Sequence, residues 1–270
     1  MRKKSSANHI CLYRALETEV HRVLHLEEDL HKFGSTTTED WIKDITGRLE
    51  VWYGKAQSYT KYDMLEFKHV QLNHLRVRIH RPTPHLRIRT FEDRRIVLES
   101  SLVLIEDYLG QERHRRLFYP WHGVHILFET AVVSLEACWS SRDWQPLRDQ
   151  AKQMLEVSIP QCLQLLTNIG QRWNEAALCA DRLRPLVQKV SSAFAGENSA
   201  PFPLYDDTLI TEEIQDLLFP DGPLTWNQVP RGDGPFGFED GSLFFDNLLV
   251  DDMEFFQWDP EWDIVPAEPV

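Results

Sequence analysis

The chain has 270 residues, of which 42% are hydrophobic and 11% aromatic, enough for one large domain, or a domain plus a tail, around an ordinary core. Its four cysteines, Cys11, Cys138, Cys162 and Cys179, are scattered with no C-x-x-C pair, which excludes a cysteine-built zinc ribbon, a disulfide scaffold and a thioredoxin-type redox motif. The net charge of −13 is unevenly placed: residues 191–270 hold 18 Asp/Glu against the single base Arg231, while residues 1–190 hold 24 acids and 28 bases.

Taken in chain order, the body reads as helices. From Ser6 to Phe33 the apolar residues Ile10, Leu12, Leu16, Val20, Val23, Leu24 and Leu26 recur at helical spacing until Gly34. Thr38-Glu39-Asp40 can cap a second helix with Trp41, Ile42, Ile45, Leu49 and Trp52 on one face. A third runs from Tyr62 to Ile79 and stops at Arg81-Pro82-Thr83-Pro84, where two prolines forbid continuation. A fourth spans Thr90 to Gly110. The fifth, Pro120 to Trp139, is apolar on several sides and reads as the central helix. Leu147 to Arg172 gives a sixth, interrupted at Pro160, and Trp173 to Val190 a seventh, which Pro185 bends or breaks. No β-alternation and no fixed-period repeat appears. The expectation is an all-α bundle of about seven helices over residues 1–190.

The texture then changes. Residues 191–203 read as a linker, and residues 204–270 as an acidic, aromatic-rich, mostly disordered tail punctuated by prolines. Within it Thr211 to Phe219 can form a short helix, with Thr211 as cap and Ile214, Leu217 and Leu218 at i, i+3 and i+4. So short a helix is unstable alone and is expected to order on a partner. Farther on, Phe244, Phe245, Phe255, Phe256, Trp258 and Trp262 alternate with acids, so that charge repulsion keeps the rings accessible to a groove with a basic rim. These nine residues are the candidate partner-binding set. Two other readings of the tail stay open, docking onto the chain's own basic body and a purely solubilising role.

Other motifs carry less chemistry. His21 and His25 stand at i, i+4, a metal-capable spacing, but without a third ligand they read as a helix face. His122 and His125 read as partly buried imidazoles at a helix start. Asp251-Asp252-Met253-Glu254 looks like an acidic magnesium motif but lies in the Pro-rich tail, and Arg231-Gly232-Asp233 is an integrin-type tripeptide by letter only. The basic stretches Arg76, Arg78, His80, Arg81, Arg87, Arg89, Arg94, Arg95 and Arg113-His114-Arg115-Arg116 could touch phosphates. Interrupted by Glu92 and Asp93, they read rather as a solvated face or a dock for the acidic tail. No catalytic residue, metal ligand or cofactor site is assigned. Val124 to Trp139 is too short and polar to span a membrane.

Several motifs together resemble the C-terminal part of the fungal-specific transcription factor domain, the regulatory domain of fungal zinc-cluster transcription factors. They are Leu16-Glu17-Thr18-Glu19-Val20, then Leu49 and Trp52, then His80-Arg81-Pro82-Thr83-Pro84. Trp121, Phe128, Leu135, Cys138 and Trp139 follow, then Cys162, Leu165, Leu166 and Arg172-Trp173, with Ala176, Asp181 and Leu183. The six-cysteine cluster through which that family binds DNA is absent from this sequence, so autonomous zinc-cluster DNA binding is not carried over. The chain is expected to be a truncated product or a member acting without that module. The resemblance implies a non-enzymatic, nuclear transcriptional regulator of a metabolic or secondary-metabolite pathway. Its tail would recruit a coactivator or a DNA-bound factor, and its body could homo- or heterodimerise. The alternatives are an isoprenoid-cyclase-like helical enzyme or metabolite-binding bundle, and an inactive remnant of a longer regulator.

Overall fold

A computed structural model of the chain describes residues 2–57, 65–117, 120–196 and 207–219. All lie in the unit Met1–Gly232. The described residues are all-α, as expected. The helices are α1 (Arg2–Leu24), α2 (Thr38–Gln57), α3 (Leu65–His80), α4 (Phe91–Arg113), α5 (Pro120–Ser140), α6 (Gln145–Gln153), α7 (Ile159–Gly170), α8 (Asn174–Gly196) and α9 (Asp207–Leu218).

α3 lies between two cores and serves both. Its Leu72, Leu75 and Ile79 join α1 and α2 in one cluster with Tyr13, Leu16, Val20, Trp41, Ile45 and Leu49. Its Val70 and Val77 join the larger cluster built from α4, α5, α7, α8 and α9. α2 shows how local sequence makes the smaller core. Trp41, Ile45 and Leu49 recur every fourth residue and are fully buried, each side chain contributing about 1.5–3 kcal/mol by leaving water. The two indoles of α2 are pinned to α1: Trp41 Nε1 donates to Glu19 (2.9 Å) and Trp52 Nε1 donates to the His9 carbonyl (2.9 Å). The cap of α2 is Thr37, one residue earlier than expected, whose Oγ1 accepts from the Asp40 amide at 3.1 Å.

Several boundaries differ from the sequence reading, each for a local reason. α1 stops at Leu24 instead of running to Phe33, because Glu27 takes φ +52° and Asp29 caps a separate 3₁₀ turn, Leu30–Phe33. Gly34, at φ +76°, closes that turn in the left-handed region. Gly110 has no such φ, so α4 continues through it to Arg113. Pro160 does not interrupt the sixth helix. Its ring would clash with the carbonyl four residues back, and the chain widens into a π turn over Met154–Ser158, where the Ile159 amide bonds to the Met154 carbonyl. α6, this turn and α7 therefore run without a break. Pro185 is likewise accommodated inside α8, which extends to Gly196 and so takes up the first half of the expected linker. Residues 197–203 lie outside the described residues.

The turn from α7 to α8 depends on a missing side chain. A Cβ on Gly170 would stand 2.5 Å from the Ala177 Cβ and 2.8 Å from its amide nitrogen, contacts that backbone must move to relieve. Gly170→Ala is expected to destabilise the protein by about 1–3 kcal/mol, the usual cost of overpacking. A urea melt checks this, with Gly47→Ala as the comparison: nothing lies within 4 Å of that exposed site inside α2, so alanine there is expected to stabilise by about 0.5–1 kcal/mol.

Candidate functional site

Two polar features are built between the helices. The first is a charge network where α1, α3 and α5 meet. Glu129 of α5 accepts from Arg81 Nη1 at 2.6 Å, pairs with His74 Nε2 at 3.0 Å, and lies 3.6 Å from Arg78 Nε. Arg78 reaches on to Glu17 at 3.3 Å, and Glu17 is also held by Arg14 at 2.5 Å. Burial alone would raise the Glu129 pKa, but Arg78, His74 and Arg81 hold it well below the usual carboxylate range. Glu17 is lowered against the same burial by Arg78 and Arg14. Both carboxylates are thus ionised and fully engaged, which suits clamping helices together more than proton transfer.

Arg81 is 2% exposed and does a second task. Its Nη2 donates to the Leu218 carbonyl at 3.3 Å, at the last turn of α9. This opens the second feature, the groove that holds α9. The helix lies along α5 and α8 and buries Ile210, Ile214 and Leu218 in the larger core. At its start Asp207 pairs with Arg142 (2.8 Å), whose guanidinium sits 3.9 Å from the centre of the Trp139 ring. Trp139 Nε1 in turn donates to Thr211 Oγ1 at 3.0 Å. Along its length Glu213 pairs with Lys189. At its end Arg87 stands 5.3 Å from the centre of the Phe219 ring. Cations near the C-terminal carbonyls and opposite the acidic N-terminus match the helix dipole at one end and its side chains at the other.

These contacts place Ile214, Leu217 and Leu218. The segment is ordered on the chain's own body, with Ile214 and Leu218 buried and Leu217 packed at the rim. Of the open readings, docking on the body is the one the structure places here. Phe244, Phe245, Phe255, Phe256, Trp258 and Trp262 lie outside the described residues, as do Arg231-Gly232-Asp233 and Asp251-Asp252-Met253-Glu254.

Much of the first basic stretch is used internally. Arg89 donates to the Ile79 and His80 carbonyls at 3.0 and 3.1 Å, ending α3, and pairs with Asp93 at 3.1 Å. Asp93 also binds His80 at 2.7 Å and closes the capping box with Thr90 that starts α4. Arg95 bridges Glu92 and Glu99, and Arg76 pairs with Glu50. Arg113, His114, Arg115 and Arg116 are exposed at the end of α4. The spacing gave no sign of the buried roles, because the decisive partners Glu17 and Glu129 come from other helices. Arg89 is the exception, since its partner Asp93 lies four residues on.

Three imidazoles border the charge network. Burial, reinforced by Arg81 and Arg78, pushes His25 down to about 3. Burial and His74 push His122 to about 4, and burial and His122 push His125 to about 3. All three are neutral at pH 7. His21 stacks on His25 at 5.4 Å, and among the described residues no three His, Cys, Asp or Glu side chains converge as a metal site would require. The Cys138 and Cys162 thiols are buried and donate to the Ala151 and Leu127 carbonyls. Burial raises both, Cys162 to about 12, so neither is a ready nucleophile at pH 7. Among the described residues no helix is long and apolar enough to cross a membrane.

No family model, curated protein or solved structure matches this chain.

Proposed function

We propose that the chain is a non-enzymatic transcriptional regulator of fungal type, acting in the nucleus, with a helical regulatory body and an acidic tail that recruits a coactivator or a DNA-bound factor. One observation carries the reading: 18 acids and a single base over residues 191–270, with Phe, Trp and Leu interleaved among the acids from Leu243 to Asp263. The resemblance of the body to the fungal-specific transcription factor domain supports it. The groove holding α9 supports it in a second way, since an acidic amphipathic segment of this very tail pairs with a basic, apolar-floored surface. With Ile214 and Leu218 buried on the body, the recruiting role falls on the six aromatics of residues 244–262.

The test fuses the full chain to an unrelated DNA-binding domain and reads a reporter. The fusion is expected to activate. Changing Phe244, Phe245, Phe255, Phe256, Trp258 and Trp262 to Ala should remove the signal, because aromatic anchors carry most of the energy of such contacts at about 1–3 kcal/mol each. Changing Asp251 and Asp252 to Asn should only reduce it, since the acids act mainly on encounter rate. A silent fusion, or a fully active aromatic variant, would overturn the reading.

A further inference from the structure

The groove between α5 and α8 reads a helix pattern rather than a chain connection. It takes apolar residues at i, i+4 and i+8 (Ile210, Ile214, Leu218) on its floor. It takes one acid three residues before the first of these and another three residues after it, Asp207 at Arg142 and Glu213 at Lys189. It takes a hydroxyl at Trp139 Nε1 and the final carbonyl at Arg81. None of these groups lies close to α9 in sequence, and the nearest, Lys189, belongs to the preceding helix. A helix of the same chemistry supplied by another polypeptide can make every one of them.

We infer that this groove is a receptor for acidic amphipathic helices supplied in trans by another protein, with α9 as its resident occupant. Charge complementarity commits the partner's chemistry, because a basic or neutral amphipathic helix would leave Arg142 and Lys189 facing like charge or nothing. The tether sets the competition. A segment on a short linker competes at an effective concentration of about mM, so a partner helix must bind more tightly than α9 or meet the chain when α9 has undocked. Undocking of a single helix with three buried anchors is a local event, cheaper than global unfolding. The inference is independent of the transcriptional reading, since it concerns what the body binds and not what the tail recruits.

The experiment uses the full chain and, as probe, a fluorescein-labelled peptide with the sequence of residues 205–220, followed by anisotropy. In the chain carrying Ile214→Asp and Leu218→Asp, α9 is released while the groove is intact, and saturable one-to-one binding of the probe is expected. Binding to the unaltered chain should be at least tenfold weaker. A probe with Ile214→Asp should lose at least tenfold, and Lys189→Glu added to the released chain should weaken the unaltered probe at least fivefold. A second released chain, Ile210→Ala with Ile214→Ala and Leu218→Ala, removes the three apolar anchors without introducing new charge. It decides the matter if the first variant shows no cooperative melt. Failure of the probe to bind any folded released chain would overturn the inference. So would equal binding to the unaltered and released chains, which would place the probe elsewhere.

Discussion

Replacing Glu129 with Ala is expected to cost about 3–5 kcal/mol in a urea melt at pH 7, the largest effect of any single side chain in the charge network. The carboxylate faces Arg81, His74 and Arg78, and Arg81 is 2% exposed, so its charge has no water to fall back on. Removing the acid strands a buried guanidinium. Arg81→Met alone should cost less, about 2–4 kcal/mol, because His74 and Arg78 still face the carboxylate, although the Leu218 carbonyl loses its donor. The pair Arg81→Met with Glu129→Ala should be more stable than the sum of the two losses by about 2 kcal/mol, since groups in one network couple. Additive losses would mean that the two residues act separately and that the network does not clamp α3 to α5. Hydrogen exchange adds a second reading. Arg81→Met should accelerate exchange at the last amides of α9 more than at its first, because Arg142 and Trp139 still hold the other end.

The division of the protein into what its sequence discloses and what it does not follows one physical line. Features set by neighbours in sequence were legible. The face of α2 is spelled by Trp41, Ile45 and Leu49, and the end of α3 by the two prolines that follow it. Features set by groups far apart in sequence were not. α3 has apolar residues on two faces because it borders two cores, and a single stripe was never there to be read. The helical pattern of Ile214, Leu217 and Leu218 was plain, yet the sequence could not show that Trp139, Arg142 and Lys189 form the surface beneath them. Pro160 and Pro185 read as breaks, yet both helices run through them. How each is absorbed depends on the packing that holds the helix together from outside, which local propensity does not contain.

Acid should unfold the protein earlier than its carboxylates alone would require. His25, His122 and His125 sit in the folded chain at about 3, about 4 and about 3, against an ordinary value of about 6.5 once unfolded. A group whose folded pKa is depressed stabilises the fold above its unfolded pKa, and that contribution is lost as pH falls. Below pH ~6.5 the unfolded chain takes up protons that the folded chain refuses, at about 1.4 kcal/mol per pH unit for each imidazole. Allowing about half for partial exposure, three imidazoles remove about 2–4 kcal/mol between pH 7 and 5. Glu129 and Glu17 continue the loss below pH ~4.3, because their depressed folded values also favour protonation of the unfolded state. Glu136 works against this trend: burial raises its folded pKa, so its protonation on acidification relieves a cost and offsets part of the loss. The groups that set the His window face one another across α1, α3 and α5, with Arg78 and Arg81 beside His25, and His74 and Arg14 beside His122. Urea midpoints taken from pH 8 to pH 4 should therefore be flat above about 7 and slope downward from about 6.5. His122→Gln with His125→Gln should reduce that slope, leaving the shares of His25 and of His9, whose pKa burial also lowers, while the carboxylate phase below pH ~4.3 stays in place. An unaltered chain whose stability is flat down to pH 5 would show that these imidazoles take up protons as freely in the folded chain as in the unfolded one.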